Sequence, residues 1–156
     1  MNQIGTYHNR TVFWASYDDI LCNKMPKNDW ICFITCSKKK PSLDAFETFT
    51  RNAIQNGILE FKGHGVYGEL LHDWFDETIN IMEVMENNSE VDVMTTWHDN
   101  ESYASAFWQC FFATCLPDAT DYTHLKIVCL DLDGMNRTHE LKKYIHRFEN
   151  EWIPEN

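Results

Sequence analysis

The chain has 156 residues, 44% hydrophobic and 24% charged, and its 13 Lys and Arg against 24 Asp and Glu give a net charge of −11. That length predicts one domain able to bury a core without disulfides or a metal, and that charge disfavours nucleic-acid binding through phosphates. No apolar run approaches the about 20 residues of a membrane helix, and Met1-Asn2-Gln3-Ile4-Gly5-Thr6 lacks the basic-then-apolar pattern of a signal peptide, so a cytoplasmic protein with no membrane partner is expected.

In chain order, the strand candidates are Thr11 to Ala15, Trp30 to Cys36, Ile58 to Phe61, Val91 to Thr96 and Leu125 to Leu132, with the first sixteen residues able to supply an edge strand. Helical patterns fall between them. Ser42 is placed to cap a helix to about Gln55, with Leu43, Phe46, Phe49 and Ala53 on one face and Gly57 as its stop. A second helix is expected from about Gly68 to Met85, a third from Asp99 to Cys115 ended by Pro117, and a last from about Arg137 to Glu149 with Leu141, Tyr144, Ile145 and Phe148 as its buried stripe. Residues 79 to 85 alternate apolar and polar side chains and fit a strand turning through residues 86 to 89, but the helical pattern runs unbroken from Glu69 and is preferred. Strands alternating with helices, and the almost wholly apolar segment from Leu125, predict an α/β three-layer sandwich with a mainly parallel central sheet flanked by helices.

Six cysteines occur, and Cys32, Cys36, Cys110 and Cys129 lie in apolar runs, so buried free thiols are expected rather than disulfides. No C-x-x-C pair offers a zinc site.

The acid is unevenly placed. Up to Lys62 the chain carries eight basic and six acidic side chains, whereas Gly63 to Leu125 contains twelve acids and no Lys or Arg. The second helix concentrates the excess. Leu70, Leu71, Trp74, Phe75, Thr78, Met82 and Met85 recur at helical spacing as its core face, and Glu69, Asp73, Asp76, Glu77, Asn80 and Glu83 recur opposite. Glu69 with Asp73, and Asp73 with Glu77, are like-charged i,i+4 neighbours, each pair costing ~0.2–0.5 kcal/mol in an isolated helix. A basic protein partner covering this face would turn that repulsion into attraction and specificity, with Trp74 or Trp97 as an aromatic anchor. The third helix is apolar nearly all round from Tyr103 to Cys115, which suits either burial within the chain or a homodimer contact.

Ligands in open α/β sheets bind beyond the carboxyl ends of the strands. The loops there contain Ser37-Lys38-Lys39-Lys40, Lys62-Gly63-His64-Gly65, Trp97-His98-Asp99-Asn100-Glu101 and Asp131-Leu132-Asp133-Gly134. His64, His98, Asp99, Glu101 and Asp133 have the chemistry to hold a divalent ion or act as general acid and base, and the lysines ahead of a helix could receive a phosphate. No dinucleotide, Walker, nucleophile-elbow or zinc-protease motif is present, so the chain discloses no reaction and no cofactor.

The stretch Val93-Met94-Thr95-Thr96-Trp97-His98-Asp99-Asn100-Glu101, with His72-Asp73 upstream, resembles a pattern of small bacterial α/β proteins without an assigned activity, and the acidic, motif-poor chain is similar in character to bacterial immunity proteins that neutralise a cationic toxin, often a nuclease. The expectation is an acidic cytoplasmic binding protein using Glu69, Asp73, Asp76, Glu77, Glu83, Trp74 and Trp97. The alternative is a small metal- or phosphate-dependent enzyme using His64, His98, Asp99 and Asp133.

Overall fold

The structure, a computed structural model, describes residues 1–21, 24–86 and 89–156; Cys22 and the Asn87-Asn88 part of the 86–89 segment lie outside them. The fold is α/β, a six-stranded sheet flanked by helices. In chain order the strands are β1 (Asn2–Tyr7), β2 (Arg10–Ser16), β3 (Trp30–Thr35), β4 (Ile58–His64), β5 (Met94–His98) and β6 (Leu125–Asp131). The helices are α1 (Tyr17–Leu21), α2 (Leu43–Gln55), α3 (Gly68–Asn80), α4 (Tyr103–Phe112) and α5 (Thr138–Glu149).

The sheet runs in the order β1-β2-β6-β3-β4-β5. It is mixed where a mainly parallel one was expected: four pairs are parallel, and β1 is antiparallel to β2. The reason is a two-residue hairpin at His8 and Asn9, whose φ of 49° and 60° give the twist that suits antiparallel neighbours. Nothing in the alternation of residues 2 to 7 announces it.

β3 is buried along its whole length. Ile31 and Phe33 point into one cluster with Phe107 and Phe111 of α4 and Leu141, Ile145 and Phe148 of α5. Trp30, Cys32 and Ile34 point into another with Phe46 and Phe49 of α2 and Leu71 and Phe75 of α3. The period-two alternation of strand side chains thus supplies two separate cores. Cys32, Cys36, Cys110 and Cys129 are buried free thiols, and Cys115 is an exposed one. Among the described residues no helix is long and apolar enough to cross a membrane.

Several expected boundaries move. β5 is Met94–His98 rather than 91–96, because its ladder starts opposite Glu60. The helix over residues 68–85 is α-helical to Asn80 and continues as a π turn over Ile81–Met85, so the strand alternative for 79–85 falls. Met85, expected in the core, is 76% exposed beyond that change of pitch. Leu43, expected on the buried face of α2, is exposed because it occupies the first position after the Ser42 cap, outside the packed stripe. The third helix is shorter than 99–115 at both ends. Ser102, not Asp99, accepts the capping hydrogen bond from Ser105 N–H at 3.1 Å. At the other end Lys62 Nζ donates to the Ala113 carbonyl (3.0 Å) and the Cys115 N–H donates to Glu60 (3.3 Å), so strand side chains replace the last helical turn.

The acidic helix is set by a close approach. A Cβ on Gly63 would lie 2.5 Å from the Gly68 carbonyl oxygen, so β4 meets the first turn of α3 backbone to backbone. Gly63→Ala is expected to cost about 1–3 kcal/mol through forced displacement, read as a lower midpoint of urea unfolding; an unchanged midpoint would show that the two elements are not held at this distance.

Candidate functional site

Parallel pairing brings the last residue of five strands into one row. Ser16 pairs with Asp131, Asp131 with Thr35, Thr35 with His64, and His64 with His98. Each lies two positions beyond a residue packed toward α4 and α5 or in register with one that does, so the row faces that side of the sheet. A band of polar groups therefore finishes an apolar face at the carboxyl ends of the strands.

The two histidines are pinned from the loop before α4. His64 Nε2–H donates to the Glu101 carbonyl at 3.0 Å, and because a carbonyl only accepts, Nδ1 of the neutral ring accepts from the Thr35 hydroxyl at 3.2 Å. His98 Nδ1–H donates to the Glu101 carboxylate at 3.1 Å, and its Nε2 accepts from Thr96 at 3.0 Å. Gln109 of α4 donates to the other Glu101 oxygen. Burial disfavours the imidazolium and lowers both histidine pKa values, against the opposing pull of Glu101. All four ring nitrogens are thus engaged within the chain.

The other half of the row is held from α5. Asp131 accepts from Arg137 Nε at 2.7 Å with one oxygen and from the Asp133 N–H at 2.8 Å with the other. Arg137 also reaches Glu140 at 2.9 Å and lies 4.1 Å from the centre of the Tyr103 ring. The Asp133 carboxylate reaches across to the loop after β3, accepting from the N–H of Ser37 (2.9 Å) and of Lys38 (2.8 Å). Asp133 is therefore a clasp between two strand ends, 96 positions apart in sequence for Ser37, and Asp99 is exposed away from it. Of the expected cluster, the structure joins His64, His98 and Glu101; Asp99 and Asp133 stand apart. Among the described residues no three His, Cys, Asp or Glu side chains are grouped to hold a metal ion. Thr35, Gln109 and Arg137 belong to the network although no motif marks them; Thr35 and Arg137 have only their position at a strand or helix end as a signal, and Gln109, inside α4, has none.

On α3, Glu69, Asp73, Asp76 and Glu77 are exposed, as the spacing predicts. Asp76 accepts from the Thr95 hydroxyl at 2.6 Å and fastens α3 to β5. Glu83 is half-buried and accepts from the Val91 N–H at 2.7 Å, so it orders the approach to β5. Trp74 is half-buried against Phe46, with the Lys40 ammonium 6.0 Å from its ring. Trp97 is 45% exposed on the edge strand, its ring 4.6 Å from that of His72. His72 in turn sits 2.9 Å from Asp73 and 3.4 Å from Asp76. Of the two tryptophans, Trp97 is the one offered to solvent amid carboxylates. The apolar α4 is covered largely by its own chain: Phe148 packs on Phe107, and Ser102 and Ser105 hold Glu155 and Asn156 of the tail at 2.8 and 2.6 Å. Trp108 and Phe112, stacked at 4.5 Å, remain at its outer side.

A family model described as "Domain of unknown function (DUF7684)" matches residues 13–148. The chain belongs to this family. The matched span begins within β2 and closes within α5, so it covers β3 to β6, the second half of β2 and the complete polar row, and leaves out β1. No curated protein and no solved structure matches the chain.

The buried histidines fix the sign of a pH effect. Their folded pKa values lie below the ordinary 6.5, so the unfolded chain binds more protons as pH falls past 6.5. Their contribution to stability is present above that pH and lost below it. The urea midpoint is expected to drop between about pH 7.5 and 5.5, and the drop to shrink in His64→Gln and His98→Gln; a midpoint flat across this range in the unmodified chain would contradict the assignment.

Proposed function

We propose that the protein is an acidic binding protein that docks a basic protein on α3 and the adjoining β5, and that its role is that of a bacterial, cytoplasmic immunity protein neutralising a cationic toxin of the nuclease type. The observation that carries this reading is the composition of one surface. Glu69, Asp73 and Glu77 stand exposed on α3 beside the exposed Trp97, in a stretch without Lys or Arg. Glu69 and Glu77 form no ion pair among the described residues. Such a face speeds encounter with a cationic partner and repels the wrong ones, while an aromatic ring at its centre supplies area that charge alone does not. A nuclease domain is basic where it holds phosphates, so an acidic face suits occlusion of that surface. In the same reading the helices form the two outer layers of a three-layer sandwich and leave α3 on the outside of one of them. The engagement of every histidine nitrogen in the strand-end network favours a docking role over acid-base chemistry there.

The test is rescue of growth. The gene beside that of this chain is expected to encode a protein with a cationic nuclease domain; co-expression with it should protect cells, and Glu69→Lys/Asp73→Lys/Glu77→Lys should abolish protection. With purified proteins the same triple change should weaken binding by about 100-fold or more at low salt, the difference narrowing as salt rises. Protection that survives the reversal, or no protection by the unmodified chain, overturns the proposal. Asp76 is left in place because it ties α3 to β5.

A further inference from the structure

A second surface has the opposite character. β3 and β6 are neighbours, yet β3 leads to α2, packed on the Trp30 and Cys32 side, and β6 leads to α5, packed on the Ile31 and Phe33 side. Two adjacent strands whose connections leave to opposite faces open a crevice between their carboxyl ends. Here that crevice is a cleft of about 300 Å³, at the small end of ligand clefts. Its walls are Ser16 at the end of β2 and Tyr17 after it, Lys39 and Lys40 after β3, and Leu132 and Gly134 after β6.

Three observations give the cleft its chemistry. Lys38, Lys39 and Lys40 are exposed, and none forms an ion pair among the described residues, in a chain where acids outnumber bases 24 to 13. The carboxylates nearest at hand are otherwise occupied or peripheral: Asp131 is spent on Arg137 and the Asp133 N–H, Asp133 on the amides of Ser37 and Lys38, and Asp18 is exposed at the mouth. Tyr17, which lines the cleft, has a buried hydroxyl without a hydrogen-bond partner among the described residues. The backbone amides after β3, the usual place for an anion in such a crevice, already hold Asp133, so an external anion would be met by the lysine side chains.

We propose that this cleft binds the phosphate group of a small phosphorylated molecule, with Lys39 as its principal charge, Lys40 at the lip and the apolar edges of Tyr17 and Leu132 against the remainder. The site is separate from the acidic face and its occupation does not depend on the docking role.

The experiment uses the full ¹⁵N-labelled chain titrated with inorganic phosphate at fixed pH and ionic strength, followed by amide spectra. Saturable shifts are expected at Ser16, Leu132 and Gly134, and chloride at the same ionic strength should produce none. Lys39→Gln/Lys40→Gln should weaken the apparent affinity by about tenfold, while Lys142→Gln/Lys143→Gln on α5 should leave it unchanged. Shifts that do not saturate, that chloride reproduces, or that both double variants weaken equally overturn the proposal.

Discussion

Everything else in the molecule is arranged around β3. Its backbone is hydrogen-bonded to β6 on one side and β4 on the other, and all six of its side chains are buried, the first five alternately in one core and the other. A strand with no free edge and no free face needs neighbours on both sides and cover on both faces, and here both neighbours run parallel to it and helices supply the cover. Those parallel neighbours are what carry the strand ends to one edge of the sheet. The polar row, the clasp of Asp133 and the cleft beside Lys39 are thus by-products of burying one largely apolar strand in the middle of the sheet.

The chain keeps two populations of polar groups apart. At the strand ends and under α4 they are buried and mutually satisfied: Glu60 with Lys62 at 2.9 Å, Asp131 with Arg137, and the histidines with Thr35, Thr96 and Glu101. Such pairs cost desolvation and return it only through close geometry, so they specify how loops and helices seat more than they add stability. On α3, Glu69 and Glu77 lack that internal compensation among the described residues. The contrast separates residues that hold the fold from residues that face outward with charge to spare.

Much of this was legible. The apolar run from Trp30, the serine cap of α2, the almost wholly apolar β6 and the acidic periodicity of α3 announce themselves because burial and helical spacing are local properties of sequence. The hairpin at His8-Asn9 was not, since it rests on two residues adopting positive φ rather than on a glycine. Asp99 and Ser102 are both competent caps, and the choice between them is made by where β5 ends. The row of Ser16, Asp131, Thr35, His64 and His98 is invisible in principle to periodicity, because it depends on the register of five strands. Met85 and Leu43 were placed inside by pattern and lie outside because a helix's last and first turns stray from its stripe.

The open edge of β5 has one more implication. Among the described residues no strand pairs with its outer backbone groups, and an unpaired edge beside an exposed tryptophan is the ordinary route by which sheets join into aggregates. Two copies approaching edge to edge would bring the carboxylates of α3 from each toward those of the other. The acid beside the edge therefore opposes the approach of a second, identical edge by like-charge repulsion.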